Sequence, residues 1–284
     1  RSIEGSEDQN VQTLFFWNQK GDLIATAINV ACPSQVVEHR TVINADYWHP
    51  LRQKLRKRFN SQLSVLGWIG ASGDQSPHLM YGKAADERMR KLRGIDRLDE
   101  IARRVLAALE DTYEVVQMER QNDIPLVHKK ESISLPMRIV TKSEFESSQK
   151  KVERLETQIN KDPKTIEQLF RRLNSFEGDV IRRYEQQKNN LPAYNAEIHV
   201  VRLGDVVICT NPFELFTDYG IAIQARSKAL QTFVIQLSGP GTYLPTEKAV
   251  KGGHYSAVVQ STLVGPEGGQ LLVDETIRLI DELF

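Results

Sequence analysis

"LSVLGWIGASGDQSPHLMYG", residues 63–82, joins two unlike pieces of chain. The first, "LSVLGWIG", has the length and apolar character of a buried strand. The second places Asp74, Ser76 and His78 among Gly70, Gly73 and Pro77. Gly, Asp, Ser and Pro all favour turns, so a turn closed by a local hydrogen bond from Asp74 is one reading. A catalytic loop at the C-terminal end of a strand in an α/β sheet is the other. Pro77 fixes its own φ and pushes Ser76 out of the helical region. The Ser76 hydroxyl is then held on stiff, extended backbone, which suits a nucleophile. The glycine spacing is not that of the G-x-S-x-G elbow.

Upstream, "VQTLFFWN" reads as a strand, "KGD" as a turn and "LIATAINVAC" as a second strand. "ADYWHPLRQKLRKRF" follows with Leu51, Leu55 and Phe59 at i, i+4 and i+8 of a helix, and Asp46 stands where an N-cap is expected. Strand, helix, strand predicts a right-handed crossover between parallel strands. Residues 83–190 change character, with many charges and few aromatics. "RLDEIARRVLAALEDTYEVVQ", "KVERLETQINK" and "TIEQLFRRLNSFEGDVIRRYEQQKNN" read as amphipathic helices, the last two separated near Asp162-Pro163. "DIPLVHKKESISLPMRIV" reads as extended chain. From residue 196 strands return. "AEIHVVRLGDVVICTNP" is a hairpin around Gly204-Asp205, "FELFTDYGIAIQARS" a helix and "TFVIQLSG" a strand. "GPGTYLPTEKAVKGGHYS" is a long loop with a short helix, and "LVGPEGGQLLVDETIRLIDELF" ends the chain as an amphipathic helix. The expected fold is α/β: one domain over 1–284, with a mixed, largely parallel sheet core and a charged helical insertion at 83–190. The strands ending near Cys32, Ile69 and Cys209 are expected in one sheet, their C-terminal ends opening on one cleft.

The 284 residues carry 37 basic and 37 acidic side chains, so no global charge recruits nucleic acid or an anionic membrane. In the helical middle, acidic residues interleave with the basic ones, as on solvated helix faces. Apolar residues make up 40%, the ordinary share for a globular chain. No apolar run has the length of a membrane span, and no signal peptide is present. The chain opens at Arg1 rather than Met, which reads as a processed or truncated product. Cys32 and Cys209 each end an apolar run and read as buried free thiols rather than a disulfide framework.

Two further clusters stand out. In "TNPFELF", residues 210–216, Glu214 is either a first-turn acid favoured by the helix dipole or a carboxylate aimed into a site at the strand ends. In "GTYLPTEKAVKGGHYS", Tyr243 and Tyr255 flank a Gly-rich stretch that suits a lid or binding wall. The six histidines form no H-E-x-x-H pattern, and His199 alternates with strand residues in a structural manner. His78 lies two residues from Ser76, where turn capping and site chemistry are equally open readings.

The order of these blocks resembles the neutral/alkaline ceramidase family: "LIATAINVACPSQ", "INADYWHPLRQKLRKRF", "GWIGASGDQSPH", "VVICTNPFELFTDYG" and "TYLPTEKAVKGGHYSA" before "VGPEGG". It covers most of residues 10–82 and 196–280 and is loose in between. The resemblance implies a secreted or periplasmic zinc hydrolase that cleaves the N-acyl amide bond of ceramide or a related lipid. "GDQSPH" matches the family's G-D-V-S-P-N motif at Gly73, Asp74, Ser76 and Pro77, making Ser76 the implied nucleophile beside Asp74. Glu214 matches a zinc-binding glutamate and Tyr243 a zinc-binding tyrosine. Tyr255 matches a site tyrosine, and His78 and His254 stand as substrate contacts. Two departures accompany the match. Where the family places a zinc-binding histidine, this chain has Cys32-Pro33. Cys32 is either a substitute thiolate ligand or a buried strand cysteine, and a proline side chain cannot bind metal. The family's first histidine ligand comes from an upstream segment that this sequence does not contain. A complete histidine-based zinc site is therefore not expected within the chain, and His39, His49 and His78 are the nearest alternatives. The competing function is a binding or scaffold protein on the same fold with a degraded metal site.

Overall fold

A computed structural model describes residues 5–161, 173–189 and 192–284. Strands β1 (Val11–Trp17) and β2 (Leu23–Val30) pair antiparallel. The turn between them is closed by Asn18, whose Oδ1 accepts from the backbone N–H groups of Lys20 and Asp22. Helix α1 (Trp48–Arg58) then carries the chain to β3 (Ser64–Ile69), which pairs parallel with β2 from Ala25↔Ser64 to Val30↔Ile69. This is the crossover that the strand–helix–strand pattern predicts. α1 lies directly on β3 at Gly67, where an added Cβ would sit 2.6 Å from the Trp48 ring. Leu51 and Leu55 are buried as their spacing requires.

Asp46 does not cap α1. The N-cap is Tyr47, and Asp46 takes a left-handed φ of 49°. Its buried carboxylate instead accepts from the N–H groups of Val37 (3.0 Å) and Tyr47 (2.8 Å). The loop after β2 is thereby tied back on itself, a demand that outweighs helix capping.

Helices α2 (Lys83–Arg93) and α3 (Arg97–Val116) follow. Asp96 caps α3, accepting from Asp99 N–H at 2.8 Å. Ala102, Val105 and Leu109 of α3 share a core with Ile28, Leu51 and Leu55, so α3 closes one face of the first sheet. The second sheet has the order β4 (Leu126–Pro136), β5 (Ala193–Leu203), β6 (Val206–Thr210), β8 (Gln231–Ile235). β4 is the extended segment expected in the charged middle, and it pairs with β5 over its full length. Between them lie α4 (Lys142–Lys161), a π-helical turn (Leu173–Glu177) and α5 (Gly178–Gln187). The Asp162-Pro163 break and residues 164–172 of the predicted helix lie outside the described residues. The β5–β6 hairpin turns at Gly204, as read. Two short strands, β7 (Glu214–Leu215) and β9 (Tyr243–Leu244), form a parallel pair of their own. Helices α6 (Thr217–Arg226), α7 (Glu247–Gly252) and α8 (Pro266–Asp281) complete the chain. α8 packs on β4, β5 and α6 over the larger of the two main cores.

The fold is mixed α/β. Parallel pairings (β2–β3, β6–β8, β7–β9) and antiparallel pairings (β1–β2, β4–β5, β5–β6) occur in equal number among the described residues. The strands ending near Cys32 and Ile69 do share a sheet, whereas the strand ending near Cys209 lies in the second one. The two sheets meet edge to end. Gln236 N–H donates to Ile69 O (3.1 Å), Asn29 Nδ2 donates to Val234 O (2.8 Å), and Trp68 packs edge-on against Phe233. The strand ends thus converge without belonging to one sheet.

Candidate active site

The turn after β3 is clamped from beneath. Gly70 N–H donates to Val30 O, and Gly73 N–H donates to Leu215 O, both at 2.8 Å. A Cβ on Gly73 would lie 2.3 Å from the Glu214 carbonyl oxygen, so only glycine lets the turn approach β7 this closely. Gln236, 5% exposed, pins the same junction. Its Oε1 accepts from Ser72 N–H (3.2 Å) and Leu215 N–H (3.0 Å), and its Nε2 donates to Ser72 Oγ (3.1 Å).

Asp74 reaches across to α6. Its Oδ1 accepts from both the backbone N–H (2.8 Å) and the hydroxyl (2.7 Å) of Thr217, the first residue of that helix. The turn reading of Asp74 named a local bond. The observed bond is long-range and serves the helix N-terminus, where negative charge is favoured. Desolvation of the Asp74 carboxyl raises it above its ordinary value, although the residue as a whole is exposed. Ser76 is exposed beside the buried Pro77, and its Oγ accepts from His78 N–H at 3.1 Å. The His78 ring is not on Ser76; its Nε2 lies 3.3 Å from Glu38 Oε1.

Glu214 sits on β7 rather than in the first turn of α6, directly beside Tyr243 in the β7–β9 pairing. The Tyr243 phenol is raised first by burial, then by Glu214, with Tyr255 and Glu38 adding to the effect. Tyr255 packs edge-on against Tyr243 with ring centroids 5.9 Å apart and presents most of its surface to solvent. Glu214, Tyr243 and Tyr255 are therefore neighbours, the Glu214 backbone lies against Gly73 of the turn that carries Ser76, and Glu38 contacts His78 of the same turn. His254 is exposed at the N-cap of the short 3₁₀ turn Tyr255–Ala257, next to Tyr255 in sequence.

Cys32 stands apart from this group. It packs against the first core, and Tyr47 Oη donates to its carbonyl at 2.6 Å. Burial pushes its thiol up to about 11, so the sulfur keeps its proton at neutral pH. Cys32 lies two residues beyond the end of β2 and is half-buried, not the fully buried strand cysteine expected. Among the described residues, no cluster of three or more His, Cys, Asp or Glu side chains is arranged to hold a metal. Glu214 and Tyr243 do not by themselves make the three-ligand set of a catalytic zinc.

Three residues at the site carry no sequence signal strong enough to find them. Glu38 lies in an irregular loop, six positions past Cys32. Thr217 reads as an ordinary helix residue. Gln236 looks like the polar end of a strand, and only its burial reveals its work.

Solved structures of ceramidases share this fold. Neutral ceramidase from Pseudomonas aeruginosa superposes with a TM-score of 0.63 at 16% identity, over 97% of this chain and 47% of its own. A ceramidase complexed with C2 gives 0.62 at 14% identity, over 97% of this chain and 48% of its own. The fold is ceramidase-like. The chain spans about half the length of the ceramidase chains it matches. No family profile and no curated protein matches the sequence.

Proposed function

We propose that this protein is a ceramidase-like hydrolase that cleaves the N-acyl amide bond of a ceramide-like lipid in the cleft between the 73–78 turn and the β7–β9 pair. The observation that carries the reading is that Glu214, Tyr243 and Tyr255 are neighbours and that the Glu214 strand packs against Gly73 of the turn bearing Ser76. In this reading Ser76 Oγ attacks the amide carbonyl carbon and the C–N bond breaks. The amine leaves with the proton given up by Ser76, and water then releases the fatty acid from the acyl-serine. Tyr243, paired beside Glu214 on the neighbouring strand, orients the amide by hydrogen bonding, and Tyr255 forms an aromatic wall for the lipid. His78 and His254 border the entrance. The family resemblance adds zinc and a secreted or periplasmic location. The described residues do not form a complete zinc site, so no step is drawn through a metal.

The incomplete donor set also favours a second reading, in which the cleft binds the N-acyl lipid without cleaving it. One experiment separates the two. Turnover of a fluorogenic ceramide is measured for the parent, Ser76→Ala and Tyr243→Phe, with and without added zinc, beside thermal melts. For the hydrolase, Ser76→Ala lowers turnover about 10³-fold or more and shifts stability by about 0.5 kcal/mol at most. A parent that binds a fluorescent ceramide but never turns it over, even with zinc, selects the binding protein. An active Ser76→Ala variant removes Ser76 from the chemistry.

A further inference from the structure

A surface helix ordinarily turns its apolar stripe to the core and its charges to water. Helix α2 does the reverse. Asp86, Arg90 and Arg93 occupy one face at i, i+4 and i+7 and point toward α3. Asp86, nearly buried, is bonded to Arg90 at 2.8 Å and to Arg97 at 2.9 Å. The neighbouring stripe Ala85, Met89 and Leu92 faces solvent, with Met89 46% and Leu92 71% exposed, and α2 has no buried residue. The loop leading into it adds Met80 (89% exposed) and Tyr81 (75%). These apolar groups adjoin an open depression of about 510 Å³ whose lining includes Tyr81, Met89, Arg93, Arg103 and Arg104 together with the carboxylates of Asp86 and Glu100; Glu100 pairs with all three arginines, which leaves the depression with a surplus of positive charge. α2 carries five basic side chains and two acidic ones in a chain whose total charge is zero.

We infer that α2 and the Met80-Tyr81 loop dock this protein on an anionic lipid surface. The apolar stripe enters the boundary between headgroups and acyl chains, as amphipathic interfacial helices do. Arg88 meets the anionic headgroups directly, and Lys91, paired with Glu87, and the arginines that outnumber Glu100 in the depression add net positive charge beside it. Charge complementarity selects this occupant: an unpartnered apolar stripe flanked by excess basic charge fits an anionic bilayer better than a neutral one. The surface also adjoins the cleft, since Arg97 at the start of α3 donates to Pro77 O at 3.0 Å. The inference does not depend on the cleft's chemistry.

The test is cosedimentation of the full chain with phosphatidylcholine vesicles, alone and with phosphatidylserine added. Binding is expected only with phosphatidylserine, and it should weaken as salt is raised. Two double variants probe the two contributions: Met89→Ser with Leu92→Ser, and Arg88→Glu with Lys91→Glu. All four side chains are exposed, and circular dichroism verifies the fold. Each basic group near an anionic leaflet is worth roughly fivefold in affinity, so the charge variant should bind about tenfold or more weaker. The serine variant should fall by a similar factor. Equal binding to both vesicle types, no binding by the parent, or variants that bind like the parent would each overturn the inference. So would a parent dimer in solution that the serine variant splits, which would make a second copy the occupant. Competition by millimolar inorganic phosphate would also overturn it, by assigning the depression to a free anion.

Discussion

Asp74 accepts two hydrogen bonds that ought to hold its proton off, yet burial lifts its carboxyl above the ordinary range. The folded protein therefore keeps that proton to higher pH than the unfolded chain does. Across the interval between the two values the folded state binds more protons, so this residue's contribution to stability falls as pH rises. Asp74→Asn keeps an oxygen to accept from Thr217 but has nothing to titrate. Melting temperature measured against pH should lose that downward component in the variant, while neutral-pH stability stays near the parent's. Identical pH profiles for the two proteins would show that Asp74 titrates as an ordinary surface acid. At this scale the sequence revealed residue types better than partners. Ser76, Glu214, Tyr243 and Tyr255 stand out in the sequence by type and position, whereas Asp74's bond to Thr217 and His78's pairing with Glu38 join segments with no sequence relation.

Gln236 shows what the elements need from one another. The end of β3, the turn after it and β7 all meet around its amide, and each is too short to hold that junction through its own ladder. Gln236→Leu leaves the N–H groups of Ser72 and Leu215 buried without this acceptor. The cost should be about 3 kcal/mol, read as a lower denaturant midpoint with an unchanged slope. A loss within about 0.5 kcal/mol would place the junction's strength elsewhere. The long elements were legible from their apolar patterns, and in β2, α1, α3 and α8 the pattern reports burial directly; β3, read as a buried strand, carries no fully buried residue and leaves Leu66 48% exposed. β7 and β9 were not, since two residues cannot show a period. Glu214 was consequently assigned to a helix turn instead of a strand.

The three tryptophans, Trp17, Trp48 and Trp68, all lie in the first half of the chain, on or against the first sheet. Their fluorescence reports that half, while far-ultraviolet circular dichroism reports the whole. The bonds from Asn29 to Val234 and from Gln236 to Ile69 tie the halves together, so the two thermal transitions should coincide. A fluorescence transition that precedes the other would mean that the halves melt separately. The sequence conveyed the α/β class and the crossover. It could not convey that the strands divide between two sheets, because hydrogen-bond partners at long range leave no local trace.

The bonds that fasten the cleft span long stretches of chain: Asp74 and Thr217 are 143 residues apart, and Ser72 and Gln236 are 164. Contacts of such separation close last, after the entropy of the intervening loop has been overcome. On a ribosome, the Ser76 turn leaves the tunnel well before β7 exists to receive it. Gly73, bare of a side chain, then waits beside an unfilled gap, and an exposed strand end is open to wrong partners until the C-terminal half arrives.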